Sequence, residues 1–336
     1  MNSNPAISIL MPVKNTALFL IECLESIIRQ TETDFELIAI DDDSSDESHS
    51  ILKEFAIKDK RIKVFKNTGT GIIEALRLAY SKSSGTYITR MDSDDVMSLT
   101  KLQVLTSNLM AFGSGHIAVG KVQYFSATPL GAGFIKYEEW LNSLIEEGSN
   151  FEGIYKECVI PSPCWMVYRE DLEKCNAFYP NVYPEDYDLA FRFYKGALKP
   201  IASHEILHHW RDYATRTSRT HVYYADHTFL AIKMDYFLEL ECDVTKNLVV
   251  WGAGDKGKKA AKILIAQNIK FTWICDNPKK IGKDIYGQIL YPLTALDTIE
   301  NSQSIITVAN LKAQKEIKLY FEERNLISNK DYFFFC

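Results

Sequence analysis

Short apolar runs, each closed by polar or acidic residues, alternate with stretches of helical spacing through the first hundred positions. Ile7–Met11 is apolar throughout and runs into Pro12; Leu18, Leu20, Ile21, Leu24, Ile27 and Ile28 then recur with the period of one helix face. Phe35–Ile40 predicts a second buried strand, and Ser44, Ser45 and Asp46 offer side-chain oxygens to start a helix over Ser48–Ala56. Arg61–Phe65 reads as a short strand, Ile72–Ser81 as a helix carrying Ile73, Leu76 and Tyr80 on one face, and Tyr87–Met91 as a further strand. This alternation predicts an α/β fold: a mostly parallel central sheet with helices on both faces. Ligands of such sheets bind beyond the carboxyl ends of the strands. Two acidic clusters, Asp41–Asp43 and Asp92–Asp95, stand at such ends.

The pattern then loosens. Gly131, Gly133, Gly148, Gly153, Pro161 and Pro163 predict long loops over 126–165, while Asp186–Tyr194 reads as helix and Ala202–Trp210 as strand. An amphipathic stretch rich in Tyr and Phe covers 221–241. Near Asp243–Asn247 the rhythm restarts: strand Leu248–Trp251, glycine turn Gly252–Gly257, helix Lys258–Gln267, strand Phe271–Cys275, strand Ser304–Ala309, helix Lys312–Arg324 and strand Tyr332–Phe335. Two domains are therefore expected, 1–243 and 244–336, the second a small Rossmann-like α/β unit with about half the strands of a full dinucleotide-binding domain.

Charge sharpens that division. The whole chain carries −6, but from Thr245 onward 14 Lys/Arg face 9 Asp/Glu, leaving +5 there and −11 in residues 1–244. The net negative charge gives no reason to expect nucleic acid as a partner. The seven cysteines, Cys23, Cys158, Cys164, Cys175, Cys242, Cys275 and Cys336, form no Cys-x-x-Cys pair and read as buried thiols of a reducing compartment. No basic-then-apolar leader opens the chain and no apolar run reaches the roughly 20 residues that span a bilayer. A cytoplasmic protein is expected.

The chemistry concentrates where strands end. Asp92, Asp94 and Asp95 would repel one another unless a cation, or a metal bound to a diphosphate, sat among them. Glu185 and Asp186 open a helix, where the dipole favours carboxylates, so capping competes with a role as acid or base. In the second unit Gly252-x-Gly254-x-x-Gly257 lies between a strand and a helix and Asp276 follows the next strand, the context in which such glycines bind a dinucleotide.

Four co-ordered segments, ISILMPVKN, SIIRQTETDFELIAIDDDSSD, NTGTGIIEALRLAYSKSSGTYITRMDSDD and PEDYDLAFR, resemble the inverting family 2 glycosyltransferases of GT-A fold over roughly residues 5–220. The resemblance implies a nucleoside diphosphate sugar donor, UDP-sugar favoured, a divalent metal (Mg²⁺ or Mn²⁺) and one carboxylate base. It places Asp42 on the N3–H of a uracil-type base and Pro12 and Asn15 along the nucleotide, a simple turn being an equal account of Asn15. It assigns the metal chiefly to Asp94, with Asp92 near the ribose or the metal's waters, and Arg90 either to this acid cluster or to a phosphate. Asp186 becomes the general base that deprotonates the acceptor, Glu185 its support, and Asp188 a structural residue. Within His208-His209-Trp210-Arg211, one histidine would complete the metal's ligands, and strand alternation admits only one; His209 is favoured. Arg211 and Arg216 would meet the diphosphate, with surface ion pairing equally open. Arg77 departs from the Asn of many relatives.

The implied acceptor is a glycan or lipid-linked hydroxyl in cell-surface polysaccharide synthesis, with peripheral membrane contact and a homo-oligomer both open. A nucleotidyltransferase is the alternative, as is a bifunctional enzyme whose C-terminal module binds a nucleotide or dinucleotide through Gly252, Gly254, Gly257 and Asp276.

Overall fold

The computed structural model describes residues 4–216, 219 and 226–336; Ser218 and the start of the aromatic stretch at 221 lie outside the described residues. The chain forms two compact units, one of residues 1–151 and 159–220, the other of residues 152–158 and 221–336.

The first unit follows the sequence rhythm: β1 (Ile7–Val13), α1 (Ala17–Ile28), β2 (Phe35–Asp41), α2 (Ser48–Lys58), β3 (Ile62–Lys66), α3 (Ile72–Lys82) and β4 (Tyr87–Arg90). Beyond them come β5 (Val96–Met97), α4 (Lys101–Phe112), β6 (His116–Val119), β7 (Lys121–Phe125), α5 (Ala132–Glu147), β8 (Trp165–Tyr168), α6 (Arg169–Lys174), α7 (Glu185–Lys195), β9 (Lys199–Ile201) and β10 (Ile206–Arg211). A seven-stranded sheet has the order β3-β2-β1-β4-β8-β6-β9, and β5-β10-β7 form a second, three-stranded sheet. The strands β3-β2-β1-β4 are parallel, and β8 runs antiparallel to both of its neighbours. Both faces of β1 and β2 are buried, which is why these strands read as continuous apolar runs rather than alternating ones.

The middle of this unit differs from the loops expected over 126–165. Residues Ala132–Glu147 form a 16-residue helix; Gly131 and Gly148 flank it and Gly133 stands in its first turn. Gly148 closes the helix with φ 67°, a left-handed position that glycine fills without strain. The strand expected over Ala202–Trp210 starts later, as β10 (Ile206–Arg211), and the short β9 before it, in the other sheet, lies outside that expectation.

The second unit contains α8 (Asp226–Leu240), β11 (Asn247–Trp251), α9 (Asp255–Ala266), β12 (Thr272–Cys275), β13 (Asp284–Ile285), β14 (Gln288–Pro292), β15 (Ser302–Ile306), α10 (Leu311–Glu322) and β16 (Tyr332–Phe334). Its sheet has six strands in the order β13-β14-β12-β11-β15-β16, more than the half-set expected from the sequence. The additional hairpin β13–β14 went unread because its strands are short and its outward residues Ile289 and Tyr291 are exposed. All pairings from β14 to β16 are parallel, so the order reverses beside β11, where doubly wound sheets hold their ligands. On one face Val249, Trp251, Ile306, Phe321 and Tyr332 form a core. On the other, Phe237 of α8 packs edge-on against Phe333 and Phe335, and Tyr155 stacks on Phe335 at 5.4 Å. Tyr155 thus places residues 152–158 within this unit's core.

A chain ending at Cys242 would keep Tyr155 and Phe237 but lose Phe333 and Phe335. It is expected to aggregate, because the aromatic faces then lie open. Size-exclusion chromatography of that truncation checks this; a monodisperse, donor-binding product would show that the cluster is dispensable. Among the described residues no helix is long and apolar enough to cross a membrane.

Candidate active site

The register of the parallel strands assembles the site. Val13 of β1 lies beside Asp41 of β2, and Asp41 beside Lys66 of β3, so the three carboxyl ends open at one level. A cavity of about 280 Å³ sits there, lined by Lys14, Asp41, Asp42, Asp43, Lys66, Asn67, Gly69 and Thr70. Asp42 is buried at its rim and accepts from Asn67 Nδ2 (2.7 Å), the Gly71 amide (3.0 Å) and Lys14 Nζ (3.1 Å). Asp41 is turned to structure instead, accepting from the Ser44 amide and facing His49 Nδ1 at 3.1 Å. Pro12 is buried within β1, and Asn15, at φ 52°, uses its Oδ1 to hold Ser45.

At the end of β4 the second acidic group converges with a distant one. Arg90 is buried and donates from Nε to Asp92 Oδ1 (2.9 Å) and from one terminal nitrogen to Glu185 Oε1 (3.1 Å). One guanidinium therefore ties together two carboxylate motifs, the second of which lies 95 residues beyond Arg90 in the chain. Asp186, next to Glu185 at the start of α7, accepts from the Tyr187 amide at 2.8 Å. Burial and the neighbouring Glu185 charge push its carboxyl up to about 7, against the pull of Arg90. A carboxylate so tuned can take a proton near neutral pH.

Asp94 accepts from the Tyr213 hydroxyl at 2.8 Å, and burial together with Asp95 pushes its carboxyl up to about 6. Asp95 is fully buried, accepts from the Arg211 amide (2.8 Å) and His208 Nε2 (3.0 Å), and pairs with the Arg216 charge at 3.7 Å. His208 Nδ1 lies 3.2 Å from Lys101 Nζ, which also donates to the Pro163 carbonyl. An ammonium can only donate, so Nδ1 accepts and the Nε2 proton faces Asp95. Burial and Lys101 hold His208 well below the usual imidazole range. Strand alternation puts the half-buried His209 on the opposite face of β10.

Arg211 is fixed rather than free: its guanidinium lies between Phe19 and Phe125 (4.7 and 4.5 Å), bonds Glu22 and donates to the Asp94 carbonyl. Arg77 ties α3 to the Phe178 and Tyr179 carbonyls and pairs with Glu74. Lys101, Asn67 and Tyr213 escaped the sequence reading. Lys101 carried one signal, a charge on the same helix stripe as Leu102, Leu105 and Leu109.

In the second unit the glycines divide their work. Gly252 has φ +117°, and a Cβ on Gly257 would lie 2.1 Å from the Gly252 carbonyl, so both serve the tight turn and the close seating of α9. Gly254 has nothing within 4 Å of a Cβ position. Trp273 Nε1 and Thr307 Oγ1 donate to the Gly252 carbonyl, Lys280 Nζ donates to that of Ala253, and Asp276 is exposed.

A family model described as Glycosyl transferase family 2 matches residues 8–175. The chain belongs to that family. The matched segment of this family 2 glycosyltransferase holds the cavity, Arg90 and the Asp92–Asp95 cluster. Glycosyltransferase GlyG of Streptococcus pneumoniae is 38% identical over 101 residues, 30% of this chain and 33% of that protein. An uncharacterized glycosyltransferase of Haemophilus influenzae is 29% identical over 198 residues, 56% of this chain and 59% of that one. The chain spans a third or less of the first such relatives, at 24%, 33% and 30% of their lengths.

Among solved structures, S. aureus TarS 1-349 in complex with UDP-GlcNAc superimposes with TM-score 0.57 at 16% identity, over 77% of this chain and 71% of that one. The mannosyltransferase PcManGT of Pyrobaculum calidifontis, in complex with GDP-Man and Mn²⁺, gives 0.52 at 15% identity, over 80% and 76%. These likenesses establish the GT-A architecture of the family 2 transferase.

Proposed function

We propose that this chain is an inverting, metal-dependent glycosyltransferase that moves a sugar from a nucleoside diphosphate, UDP favoured, to a hydroxyl of a glycan or lipid-linked acceptor. The observation that carries the reading is Arg90, which joins Asp92 of the acidic cluster to Glu185, the neighbour of Asp186. Donor-side and acceptor-side carboxylates then face one reaction centre.

The cavity beside Asp42 suits the base of the nucleotide, and UDP is the nucleotide of the TarS complexes. Asp186 takes the acceptor's hydroxyl proton as that oxygen attacks the anomeric carbon; the bond to the diphosphate oxygen breaks, and configuration inverts. Among the described residues no three ligating side chains converge on one point. That fits a Mg²⁺ or Mn²⁺ site, because such ions are commonly held by one or two carboxylates with substrate phosphates and water completing the shell. Asp94, with Asp92 beside it, would hold the ion, whose charge would offset that growing on the leaving diphosphate. Arg216, against Asp94 and Asp95, stands ready for the diphosphate. The +5 balance beyond Thr245 suits an anionic acceptor or the cytoplasmic membrane surface.

Asp94→Asn is expected to abolish the metal-dependent rise in melting temperature given by UDP. The metal-free melting temperature should stay level or rise slightly, since one of several crowded carboxylates is neutralised. Thermal scans with and without Mn²⁺ and UDP decide it, and undiminished metal dependence would remove Asp94 from the site. With active enzyme, release of nucleoside diphosphate supports sugar transfer, whereas release of pyrophosphate would mark nucleotidyl transfer.

A further inference from the structure

Lys101 is a fully buried charge beside the site, and the transfer chemistry gives it no task. It stands first in α4, where the helix dipole disfavours a cation, and its neighbours on the buried stripe are Leu102, Leu105 and Leu109. Burial opposes the ammonium as well. An apolar side chain of the same length would fill this space at less cost, so packing does not account for the amine. Its contacts do. Nζ donates to the Pro163 carbonyl and lies 3.2 Å from His208 Nδ1, and on the far side of that imidazole Nε2 lies 3.0 Å from Asp95.

The backbone fixes where the imidazole sits but not which nitrogen carries its proton. Met97 of β5 pairs with His208 of β10, so the segment that follows Asp95 and the strand that bears the ring hold each other. A proton on Nδ1 would leave an Nε2 lone pair facing the Asp95 carboxylate, and the two would repel. The ammonium at Nδ1 excludes that tautomer. Asp95 in turn holds two further groups: it accepts the Arg211 amide and faces the Arg216 guanidinium at 3.7 Å. Against the burial that disfavours the Arg216 charge, Asp95 acts first among the carboxylates, ahead of Asp94 and Asp92.

The geometry points to Lys101 as a positioning residue for diphosphate recognition: it keeps the His208 proton on Nε2, His208 thereby holds Asp95, and Asp95 holds Arg216 for the donor's diphosphate. This rests on the transferase reading, in which Arg216 meets that group.

The test titrates UDP and UMP, each with Mn²⁺, into the full-length chain by calorimetry. Lys101→Met should weaken UDP by about tenfold or more, the worth of one hydrogen bond to a charged group, and leave UMP unchanged. A merely structural role would weaken both alike. Lys101→Met/His208→Gln should recover most of the UDP affinity, because an amide always has an N–H to turn toward Asp95. Imidazole ¹⁵N spectra read the tautomer with no substrate present, His208→Gln identifying the signal. Nε2–H is expected in the native chain, with a shift toward Nδ1–H in Lys101→Met. Should Lys101→Met not fold, His208→Phe, which removes the donor and leaves Lys101 in place, should show the same loss confined to UDP. An Nδ1–H ring in the native chain, or UDP and UMP affected equally, overturns the proposal. Absence of Mn²⁺-dependent UDP binding by the native chain would instead sink the donor reading, and the ring tautomer would still decide the part played by Lys101.

Discussion

Asp186→Asn should retain donor binding and lose turnover by about 10²–10⁴-fold, the usual effect of removing a positioned general base. By the relation of rate to barrier this is about 3–5 kcal/mol of transition-state stabilisation. In the native chain, kcat/KM should rise with pH and level off above about 7, because burial and Glu185 hold the Asp186 proton until then. The same shift sets the sign for stability. The folded chain keeps this proton more tightly than the unfolded one, so stability falls as pH rises from the ordinary carboxylate range through about 7. Asp186→Asn avoids that loss and should be no less stable than the native chain at pH 8. Steady-state kinetics, UDP binding and melting curves on the same variant separate the roles. An equal loss of donor affinity and stability would make Asp186 a structural group.

Arg90→Met should be the most destabilising single change in the site. Arg90 and Glu185 are 3% and 6% exposed, and removing the cation leaves the Glu185 and Asp92 carboxylates to face each other without it. Breaking a buried pair from one side typically costs about 3–5 kcal/mol. Urea unfolding measures this, and Arg90→Met/Glu185→Gln should recover part of the loss, because the stranded charge is gone. In whatever folds, the pH profile should move upward, since Arg90 is the cation that favours ionised Asp186. If the single variant unfolds at the native urea midpoint, the bridge between the two motifs contributes nothing.

The parallel half of the first unit was legible because its strands are buried on both faces and its helices amphipathic. Every element from β1 to β4 lies within a few residues of its sequence expectation. Antiparallel and edge elements were not, since β8, β9, β13 and β14 are short. Glycines were misread where they end a helix, as Gly148 does. Acidic residues at strand ends announced the site, but periodicity carries no trace of partners a hundred positions away. Arg90 with Glu185, and Lys101 with His208, exist only once the chain is folded. His208 and His209 show the limit: alternation says that one must turn away, while the bonds of His208 to Lys101 and Asp95 come from tertiary structure.

The placement of Tyr155 has a consequence for synthesis on the ribosome. Its stacking partner Phe335 is made 180 positions later. At about 5–20 residues per second, roughly 10–40 s pass between the two. Through that interval the residues before 152 and after 158 can settle, while 152–158 must wait as an unfilled splice in a nearly finished domain. A nascent chain stalled before β16 would therefore display one aromatic segment to chaperones, and emergence of Phe333 and Phe335 would withdraw it.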